Sequence, residues 1–379
     1  MKRKLRALGL MSGTSMDGVD AAVIVTDGER VLERSGGIGL SYAEGDRSLI
    51  EAAVAEAREL ADRDARPEAL AAAEDMVTRL QARAVSLLLE KLSLAPGAID
   101  IIGFHGQTIL HRPQQGLTIQ LGDGQLLADL TGIDVVYDMR AADMRAGGQG
   151  APLASAYHRA MAKTSGFEPP VAFVNIGGVS NVTWIGKGRD ILAFDTGPGN
   201  ALIDEWVRRH TGAPMDEDGA LAARGRVDET VLARLMESRF FDELPPKSLD
   251  KLDFTLEGFP EMRLEDGAAT LTAFTAAAIA ACQRHVAAEP KRWIVSGGGA
   301  RNPSLMKALA ERVGGEVLTA DTAGWSSTYV EAEAFAFLAV RSLKGQPLTF
   351  PGTTGVTSPQ TGGVHVSPQP GPELRSKAG

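Results

Sequence analysis

The first strong pattern in the chain is a pair of short apolar runs separated by a polar turn, over residues 8–25. Both runs have the composition of β-strands, and strands joined by a short turn of Gly, Ser and Asp residues predict a β-hairpin. Gly13 and Gly18 allow backbone N–H groups to approach a ligand closely, and neighbouring hydroxyls add donors. The turn therefore suits phosphate oxygens, and an ordinary surface turn is the alternative that this segment leaves open.

Helical spacing of apolar residues follows at 48–64 and 67–94, after a loop at 40–46. A strand at 101–104 then runs into His105, which places polar groups at a strand end, where α/β proteins bind ligands. His105 is interpreted as a substrate contact or as a loop histidine. Further strands are predicted at 134–137, 171–176, 182–185, 191–194, 293–295 and 316–318, and further helices at 153–163, 201–210, 216–244, 268–288, 303–313 and 331–344. This alternation predicts an α/β protein.

The second half of the chain repeats the pattern of the first. The strands at 171–176 and 182–185 flank a turn that contains Gly177, Gly178 and Asn181, which is either a second phosphate turn or an ordinary hairpin. The strand at 191–194 leads into Asp195, in a loop with two glycines and a proline. Such a loop can hold a carboxylate rigidly, so Asp195 is the predicted general base for phosphoryl transfer. A cap on the following helix is the alternative, and Asn200 is an equal candidate for that cap.

Composition and charge argue against several classes of protein. The 379 residues are 44% hydrophobic and 23% charged, which predicts a large core and two domains. No run of 18 apolar residues occurs, and the first strand leads straight into Asp17, unlike the apolar core of a signal peptide. The formal net charge of −9 argues against a nucleic-acid surface. Cys282 is the single cysteine, expected as a small buried residue, and a reducing cytoplasm is the expected location.

Several familiar motifs are excluded by their spacing. Gly13 and Gly18 have the separation of a Walker A loop, but Val19 and Asp20 stand where its Lys and Ser/Thr belong. The loop at 297–302 is not a Rossmann fingerprint, because Asn302 occupies the place of the third glycine. No cluster of His, Cys and Glu has the spacing of a transition-metal site. The expected metal is Mg²⁺ that arrives with a nucleotide, held through its waters by Asp17 and Asp20.

Nine segments together resemble the anhydro-N-acetylmuramic acid kinases, which are bacterial members of the superfamily that joins sugar kinases, heat-shock chaperone ATPases and actin. The segments are GLMSGTSMDGVD (9–20), FHGQTILHRP (104–113), TIQLGDG (118–124), AGGQGAPL (146–153), NIGGVSNVT (175–183), FDTGPGNALID (194–204), PPKS (245–248), GGGARNP (297–303) and EAEAFAFLA (331–339). The resemblance covers the chain from Leu8 to about Pro368. It implies a two-lobed α/β fold of the actin-like ATPase, ribonuclease H-like type, with an ATP cleft between the lobes.

The resemblance also implies a reaction and roles for residues. In the family, ATP phosphorylates 1,6-anhydro-N-acetylmuramic acid while water opens the anhydro bridge, giving N-acetylmuramic acid 6-phosphate in peptidoglycan recycling. Carried over, Asp195 would activate that water. The implied ATP contacts are Gly13, Thr14, Ser15, Met16, Asp17, Gly18, Val19 and Asp20 in the first turn, Gly177, Gly178 and Asn181 in the second, and Gly297, Gly298, Gly299 and Asn302 at the adenosine. The implied sugar contacts are His105, Asp143, Gln149, Gly197 and Glu331, the last of which also suits the first turn of a helix.

The expected organisation is an N-terminal lobe at 1–135, a C-terminal lobe at 136–367 and a disordered tail at 368–379, with the return of the last core helix to the first lobe left open. The sequence departs from the family at 249–252, at 326–329 and at Met139, which stands where relatives have Phe. Two rival functions remain open, a kinase for another amino sugar and a nucleotide-switched binding module. The expected partner is a small sugar, with no nucleic acid or membrane, and a homodimer is left open.

Overall fold

The computed structural model describes residues 3–13, 16–188, 190–249 and 254–369. Contacts divide the chain into two compact units, the first made of Met1–Ser165 and Tyr329–Gly379 and the second of Gly166–Thr328. The first unit therefore continues past the expected lobe boundary at residue 135. It also contains the last long helix, whose return to the first lobe the sequence left open. Most of the expected tail, residues 370–379, lies outside the described residues.

The described residues form twelve β-strands and eleven α-helices. The strands are β1 (Leu5–Ser12), β2 (Gly18–Thr26), β3 (Val31–Ser41), β4 (Ile101–Arg112), β5 (Leu117–Leu121), β6 (Val135–Tyr137), β7 (Val171–Ile176), β8 (Val179–Ile185), β9 (Ile191–Pro198), β10 (Arg292–Ser296), β11 (Glu316–Thr319) and β12 (Val364–Val366). The helices are α1 (Glu44–Ala57), α2 (Glu68–Lys91), α3 (Gly124–Thr131), α4 (Ala141–Arg145), α5 (Ser155–Thr164), α6 (Ala201–Thr211), α7 (Glu229–Leu235), α8 (Leu264–Ala281), α9 (Pro303–Ala310), α10 (Val330–Leu343) and α11 (Pro351–Thr354).

The first unit is built on one mixed sheet with the strand order β12-β6-β4-β1-β2-β3, and β5 pairs with β4. β1 and β2 are antiparallel and pair from Leu5 opposite Thr26 to Met11 opposite Asp20, which confirms the predicted first hairpin. β4 lies parallel to β1 and to β6. The parallel pairing therefore brings the residues after β1 and β6 and the middle of β4, where His105 lies, to one edge of this sheet.

Helix α10 packs directly on the centre of this sheet because two strands carry glycine where it crosses them. A Cβ added to Gly9 in β1 would overlap the Ala332 carbonyl, and one added to Gly103 in β4 would overlap the Phe335 carbonyl. Eleven residues of α10 are buried, including the charged Glu333 and Arg341. The close approach fixes the start of α10, where Glu331 lies, relative to β1 and β4.

The second unit is built on a five-stranded sheet in the order β11-β10-β7-β8-β9, counted over described residues. β7, β8 and β9 are antiparallel neighbours, which confirms the predicted second hairpin. β10 lies parallel to β7 and to β11. Cys282 is buried in the core of this unit, as predicted from its apolar, Ala-rich surroundings.

Two predicted elements are wrong and one strand was missed, each for a physical reason. The segment 216–244, predicted as helical, contains short 3₁₀ turns and only the two-turn α7, because Gly219 and Gly225 interrupt it and Gly225 lies against the Glu265 carbonyl. The strand β3 was not predicted, since its Gly-rich and polar sequence lacks a clear apolar alternation. The loop expected at 40–46 is instead the end of β3 and the beginning of α1.

β4 continues through His105 to Arg112, so this histidine lies within a strand and not after one. The other predicted strands and helices appear with shifts of a few residues at their ends. Across the four described ranges, no helix has both the length and the apolar surface needed to cross a bilayer.

Candidate active site

The first glycine turn joins β1 to β2. The Met16 N–H donates to the Gly13 carbonyl at 3.2 Å, and Met16 has a positive φ of 54°. Thr14 and Ser15, both expected at the phosphates, lie outside the described residues. Gly18 is the first residue of β2 and lies against the Leu40 carbonyl. Val19 follows it with a buried side chain. Glycine at position 18 is therefore required by the packing of β2 on β3.

A buried glutamine holds this turn from the neighbouring strand. The Gln107 side chain in β4 is fully buried, and its Nε2 donates to the Gly13 carbonyl at 2.9 Å. Its Oε1 accepts from the hydroxyls of Ser12 and Tyr42, the latter at 3.2 Å. Those two hydroxyl oxygens lie 2.6 Å apart, so one hydroxyl divides its single proton between Gln107 and the other hydroxyl. The conformation of the first turn is thus fixed by a satisfied polar network that the sequence did not reveal.

Three carboxylates gather beside the first turn. Burial, together with the negative charges of Asp17 and Glu331, raises the pKa of Asp20 to about 6. The pKa of Glu331 is also raised, first by desolvation and then by Asp17, while Arg140 acts in the opposite direction. Part of the Glu331 residue is exposed to solvent, but its carboxyl group is surrounded by protein and is desolvated. Mutual repulsion of this kind is relieved when a cation binds among the carboxylates.

His105 is held by an arginine that follows β6. The Arg140 guanidinium donates to His105 Nε2 from Nη2 at 2.8 Å and from Nε at 3.3 Å. An imidazole that accepts at Nε2 must carry its proton on Nδ1, so His105 is neutral. Burial and the charge of Arg140 lower the pKa of His105 well below its usual value, against a smaller opposing effect of the Gly106 and Ser12 backbone. Its ring is 6% exposed and packs on Phe335, with the ring centroids 4.5 Å apart.

Asp143 and Gln149, both expected at the sugar, lie at the loop 147–150. Asp143 is 1% exposed, and its carboxylate accepts hydrogen bonds from the Thr349 hydroxyl, from the Thr354 hydroxyl at 2.6 Å and from the Gly150 N–H at 2.7 Å. Gln149 is half-buried. The structure therefore places Asp143 beneath the loop and Gln149 on it.

Asp195 lies inside β9 and not in the loop that the sequence predicted. Its partner across the β8–β9 pair is Asn181, so two predicted site residues are neighbours on adjacent strands. A bulge opposite Ser180 and Asn181 shifts the register there, and bulges of this kind redirect side chains. Asp195 is not a helix cap, because the N-cap residue of α6 is Asn200.

The segment that follows the Pro-Pro-Lys-Ser motif runs beside Asp195. The Asp195 N–H donates to the Lys247 carbonyl at 3.0 Å, and the Leu249 N–H donates to Asp195 Oδ2 at 2.8 Å. Burial raises the pKa of Asp195 to about 6, and the bond from Leu249 opposes that rise. A carboxyl group with this pKa is ionised at neutral pH and is still a competent proton acceptor.

Lys247, whose carbonyl accepts from the Asp195 N–H, is 7% exposed. Its Nζ donates to the Phe240 carbonyl and lies 4.4 Å from the centre of the Phe240 ring. Burial lowers the pKa of Lys247, although Glu243 and Asp242 act in the opposite direction. The motif thus supplies the backbone carbonyl that bonds to Asp195, and its lysine side chain is anchored at Phe240. Of the family departure that follows it, Leu249 contributes its backbone, and residues 250–252 lie outside the described part.

The second glycine turn is bonded to the segment after β9. The Gly178 carbonyl accepts from the Gly199 N–H at 2.8 Å, and the Gly177 carbonyl accepts from the Asn200 N–H at 2.7 Å. Gly197, expected at the sugar, is buried, and an added Cβ would lie 2.8 Å from the Ala278 Cβ of α8. The second turn and the strand that carries Asp195 therefore form one connected structure.

The loop expected at the adenosine follows β10 and packs on the end of β7. Gly297 has a φ of +78°, and a Cβ there would overlap the Asn175 side chain. Gly299 lies against Ile176, and an added Cβ on Gly298 would lie 3.4 Å from the Asn200 amide. The Asn302 Oδ1 accepts from the Leu305 N–H at 3.0 Å, so this side chain caps α9.

Two α/β units, each with an antiparallel hairpin whose glycine turn carries polar residues, have the construction of the sugar kinase and actin-like ATPase superfamily. The second unit adds a desolvated carboxylate on the strand next to its turn.

The comparison with known proteins identifies the family within this class. A family model described as anhydro-N-acetylmuramic acid kinase matches residues 5–368. The chain is 52% identical over 374 residues to the anhydro-N-acetylmuramic acid kinase of Methylobacterium nodulans, covering 96% of this chain and 100% of that one. It is 52% identical over 371 residues to that of Azorhizobium caulinodans (97% and 100% covered) and 50% identical over 373 residues to that of Methylorubrum extorquens (96% and 99% covered). The chain belongs to the anhydro-N-acetylmuramic acid kinase family, which confirms the predicted family and enzyme class.

Proposed function

We propose that this chain converts 1,6-anhydro-N-acetylmuramic acid, ATP and water into N-acetylmuramic acid 6-phosphate and ADP, with Asp195 as the general base. The observation that supports this role is the state of the Asp195 carboxyl group. Its Oδ2 accepts from the Leu249 N–H at 2.8 Å, the backbone N–H of Asp195 donates to the Lys247 carbonyl, and burial raises the pKa of the carboxyl group to about 6. A base with such a pKa is ready for proton removal at neutral pH.

Besides one proton transfer, the proposed reaction forms two bonds and breaks two. The oxygen of a water molecule attacks C1 of the sugar, and Asp195 accepts the proton that this water loses. The bond between C1 and the bridging O6 breaks, and O6 attacks the γ-phosphorus of ATP. The bond from that phosphorus to the β,γ-bridging oxygen breaks, and ADP leaves. Because phosphoryl transfer depends mainly on positioning and charge neutralisation, the protein's task is to hold both substrates.

The proposed ATP contacts are the backbone of the two glycine turns and the loop after β10. Gly13, Met16 and Asp17 form the described part of the first turn, with Gln107 as its support. Gly177, Gly178 and Asn181 form the second turn, and Gly297 to Gly299 are assigned to the adenosine. Asn302, which caps α9, is assigned to the shape of that loop.

The proposed sugar contacts are Gln149 and Glu331, both of which have exposed or half-buried side chains in the first unit. His105, Asp143 and Gly197 are buried, so we assign them to the support of the site and not to direct contact.

Mg²⁺ is the proposed metal of the ATP complex. Asp17 and Asp20 would hold it through its waters, and the raised pKa of Asp20 fits a carboxylate that lacks a counter-ion. When bound, Mg²⁺ neutralises charge on the phosphates. Within the described residues no group of three or more His, Cys, Asp or Glu side chains is arranged to hold a metal by itself. The proposed location is the cytoplasm, where ATP is supplied.

The mass of the product tests the proposed function. The enzyme is incubated with ATP and Mg²⁺ and with either 1,6-anhydro-N-acetylmuramic acid or N-acetylglucosamine. The expected result is ADP and a product heavier than the anhydro-sugar by one phosphate group and one water. A product heavier by phosphate alone would contradict ring opening. Efficient turnover of N-acetylglucosamine would instead favour the rival kinase for another amino sugar.

A further inference from the structure

All four backbone N–H groups of the loop 147–150 donate hydrogen bonds to other groups of the first unit. The Gly147 N–H donates to the Met144 carbonyl, the Gly148 N–H to the Asp143 carbonyl at 2.9 Å and the Gln149 N–H to the Thr354 carbonyl at 2.8 Å. The Gly150 N–H donates to Asp143 Oδ2 at 2.7 Å. The loop therefore has no backbone donor left for a phosphate or a sugar. Gln149 is its one residue other than glycine, so it supplies the one side chain with which the loop can contact a ligand.

Both backbone polar groups of Gly150, its N–H and its carbonyl, are bonded to charged side chains. Its N–H bonds to the Asp143 carboxylate, and its carbonyl accepts from Arg140 Nη1 at 2.7 Å. Hydrogen bonds to charged groups are about twice as strong as neutral ones, and two on one residue leave it little freedom. The orientation of the preceding residue, Gln149, follows from this arrangement.

Asp143 connects the loop to a distant part of the chain. Its Oδ1 accepts from the hydroxyls of Thr349 and Thr354, which lie before and within α11. All three side chains are 1% exposed or less. A carboxylate that is completely buried and bonded to three protein donors is not placed to contact a sugar. Because it bonds to both segments, it fixes the position of the loop relative to residues 349–354.

Resting on the proposed function, we propose that Asp143, Thr349 and Thr354 are positioning residues that orient the Gln149 side chain toward the sugar. We call these three residues and the Gly150 peptide the loop clamp. The carboxamide of Gln149 both donates and accepts, which suits a hydroxyl or acetamido group of an amino sugar. The segment 349–354 thereby controls the affinity for sugar and leaves the affinity for ATP unchanged.

A double-mutant cycle on sugar binding tests the loop clamp. Dissociation constants for 1,6-anhydro-N-acetylmuramic acid and for ATP are measured by calorimetry in the wild type, Asp143→Asn, Gln149→Ala and the double variant. Asp143→Asn is expected to weaken sugar binding about 10-fold or more, because a bond to a buried charged group is lost, and to leave ATP binding within about 2-fold. In the Gln149→Ala background the same change should have an effect below about 2-fold. Additive losses would overturn the proposal.

Thr354→Val and Thr353→Val form a matched pair that separates the clamp from simple destabilisation. Thr353 is equally buried in the same helix, but its hydroxyl bonds only to the Phe350 backbone, at 3.0 Å. Thr354→Val is expected to weaken sugar binding about 5-fold or more. Thr353→Val is expected to leave sugar binding unchanged, although both variants should lower the thermal stability by similar amounts. Equal effects of the two variants on sugar binding would overturn the proposal.

Hydrogen exchange gives a readout that does not depend on turnover. The Gly150 amide should be protected in the wild type and exchange faster in Asp143→Asn and Thr354→Val, but not in Thr353→Val. If the wild-type protein binds the anhydro-sugar without phosphorylating it, the proposed function is contradicted. The double-mutant cycle on sugar binding can still be measured in that case, so the loop clamp is tested separately. Wild-type protein that does not bind the sugar at all would overturn both.

Discussion

The side-chain amide of Gln107 donates to the backbone carbonyl of Gly13 at 2.9 Å, and this bond fixes the first glycine turn from a neighbouring strand. The other end of the same amide accepts from the Ser12 and Tyr42 hydroxyls. We infer that the turn is ordered before ATP binds, so that the nucleotide does not have to order it.

Replacing Gln107 separates these two functions of its side chain. Gln107→Glu keeps the acceptor for Ser12 and Tyr42 but places an oxygen against the Gly13 carbonyl. We expect the KM for ATP to rise about 10-fold, because one buried hydrogen bond becomes a repulsion. Tyr42→Phe, which removes a hydroxyl and leaves the bond to Gly13, should change that KM by less than about 2-fold. Equal effects of the two variants, measured by steady-state kinetics, would refute a role for the bond to Gly13.

The neutral state of His105 gives a second prediction. Because Arg140 donates to Nε2 and lowers the pKa of the ring, His105 should remain the Nδ1–H tautomer from about pH 6 to about pH 8. The stability that this arrangement contributes is complete above the usual histidine pKa of about 6.5 and is lost as the pH falls below it, because the unfolded chain then binds the extra proton. Nitrogen-15 chemical shifts of the imidazole measure this directly. A charged ring at neutral pH would contradict the assignment, and Arg140→Met should raise the pKa.

The packing of α10 gives a prediction about stability. Gly103→Ala would place a Cβ against the Phe335 carbonyl, which is backbone and cannot move aside cheaply. We expect a loss of about 1–3 kcal/mol in the free energy of unfolding, as is usual when a packed contact is overfilled. Gly97→Ala is the control, because an added Cβ there meets no atom within 4 Å. Urea denaturation compares the two, and similar losses would mean that the close approach is not what requires glycine.

The sequence predicted the parts of the molecule that depend on local pattern. Both hairpins follow from apolar runs and glycine turns, and Asp195 was identified because it stands at the end of one such run. Its neighbour Asn181 was identified separately, and only the register of β8 and β9 brings the two together.

The sequence could not reveal contacts between distant segments. Gln107 bonds to Gly13, and Asp143 bonds to Thr349 and Thr354, so each partner lies about a hundred or more residues away in the chain. Asp143 was expected at the sugar from the family resemblance alone, and its sequence neighbourhood does not show that its carboxylate is buried and bonded to Thr349 and Thr354. Gln107 and Lys247 lie in two of the nine segments, 104–113 and 245–248, and Arg140 follows Met139, but the sequence assigned no role to any of these three side chains.

The raised pKa of Asp195 predicts a pH-dependent effect on stability. The pKa of the Asp195 carboxyl group rises from 3.8 to about 6 on folding, so ionising that group destabilises the folded state relative to the unfolded state. Below about pH 4 the carboxyl group is protonated in both the folded and the unfolded state, so this destabilisation is absent. It grows as the pH rises to about 6 and is constant above that pH. Asp195→Asn should therefore unfold at a higher temperature than the wild type at about pH 8, by an amount equivalent to ~2 kcal/mol, and show little difference at about pH 4. Thermal unfolding at the two pH values measures the difference, and a gain at the lower pH alone would be inconsistent with a desolvated carboxylate.

The most direct test of the central claim compares turnover with ATP binding in Asp195→Asn. If Asp195 accepts the proton of the attacking water, kcat with 1,6-anhydro-N-acetylmuramic acid should fall by about 10³-fold or more, since an amide cannot act as a base. The dissociation constant for ATP, measured by calorimetry on the same preparation, should stay within about 2-fold of the wild type. Turnover within about 10-fold of the wild type, or loss of ATP binding together with activity, would contradict the assignment of Asp195 as the general base.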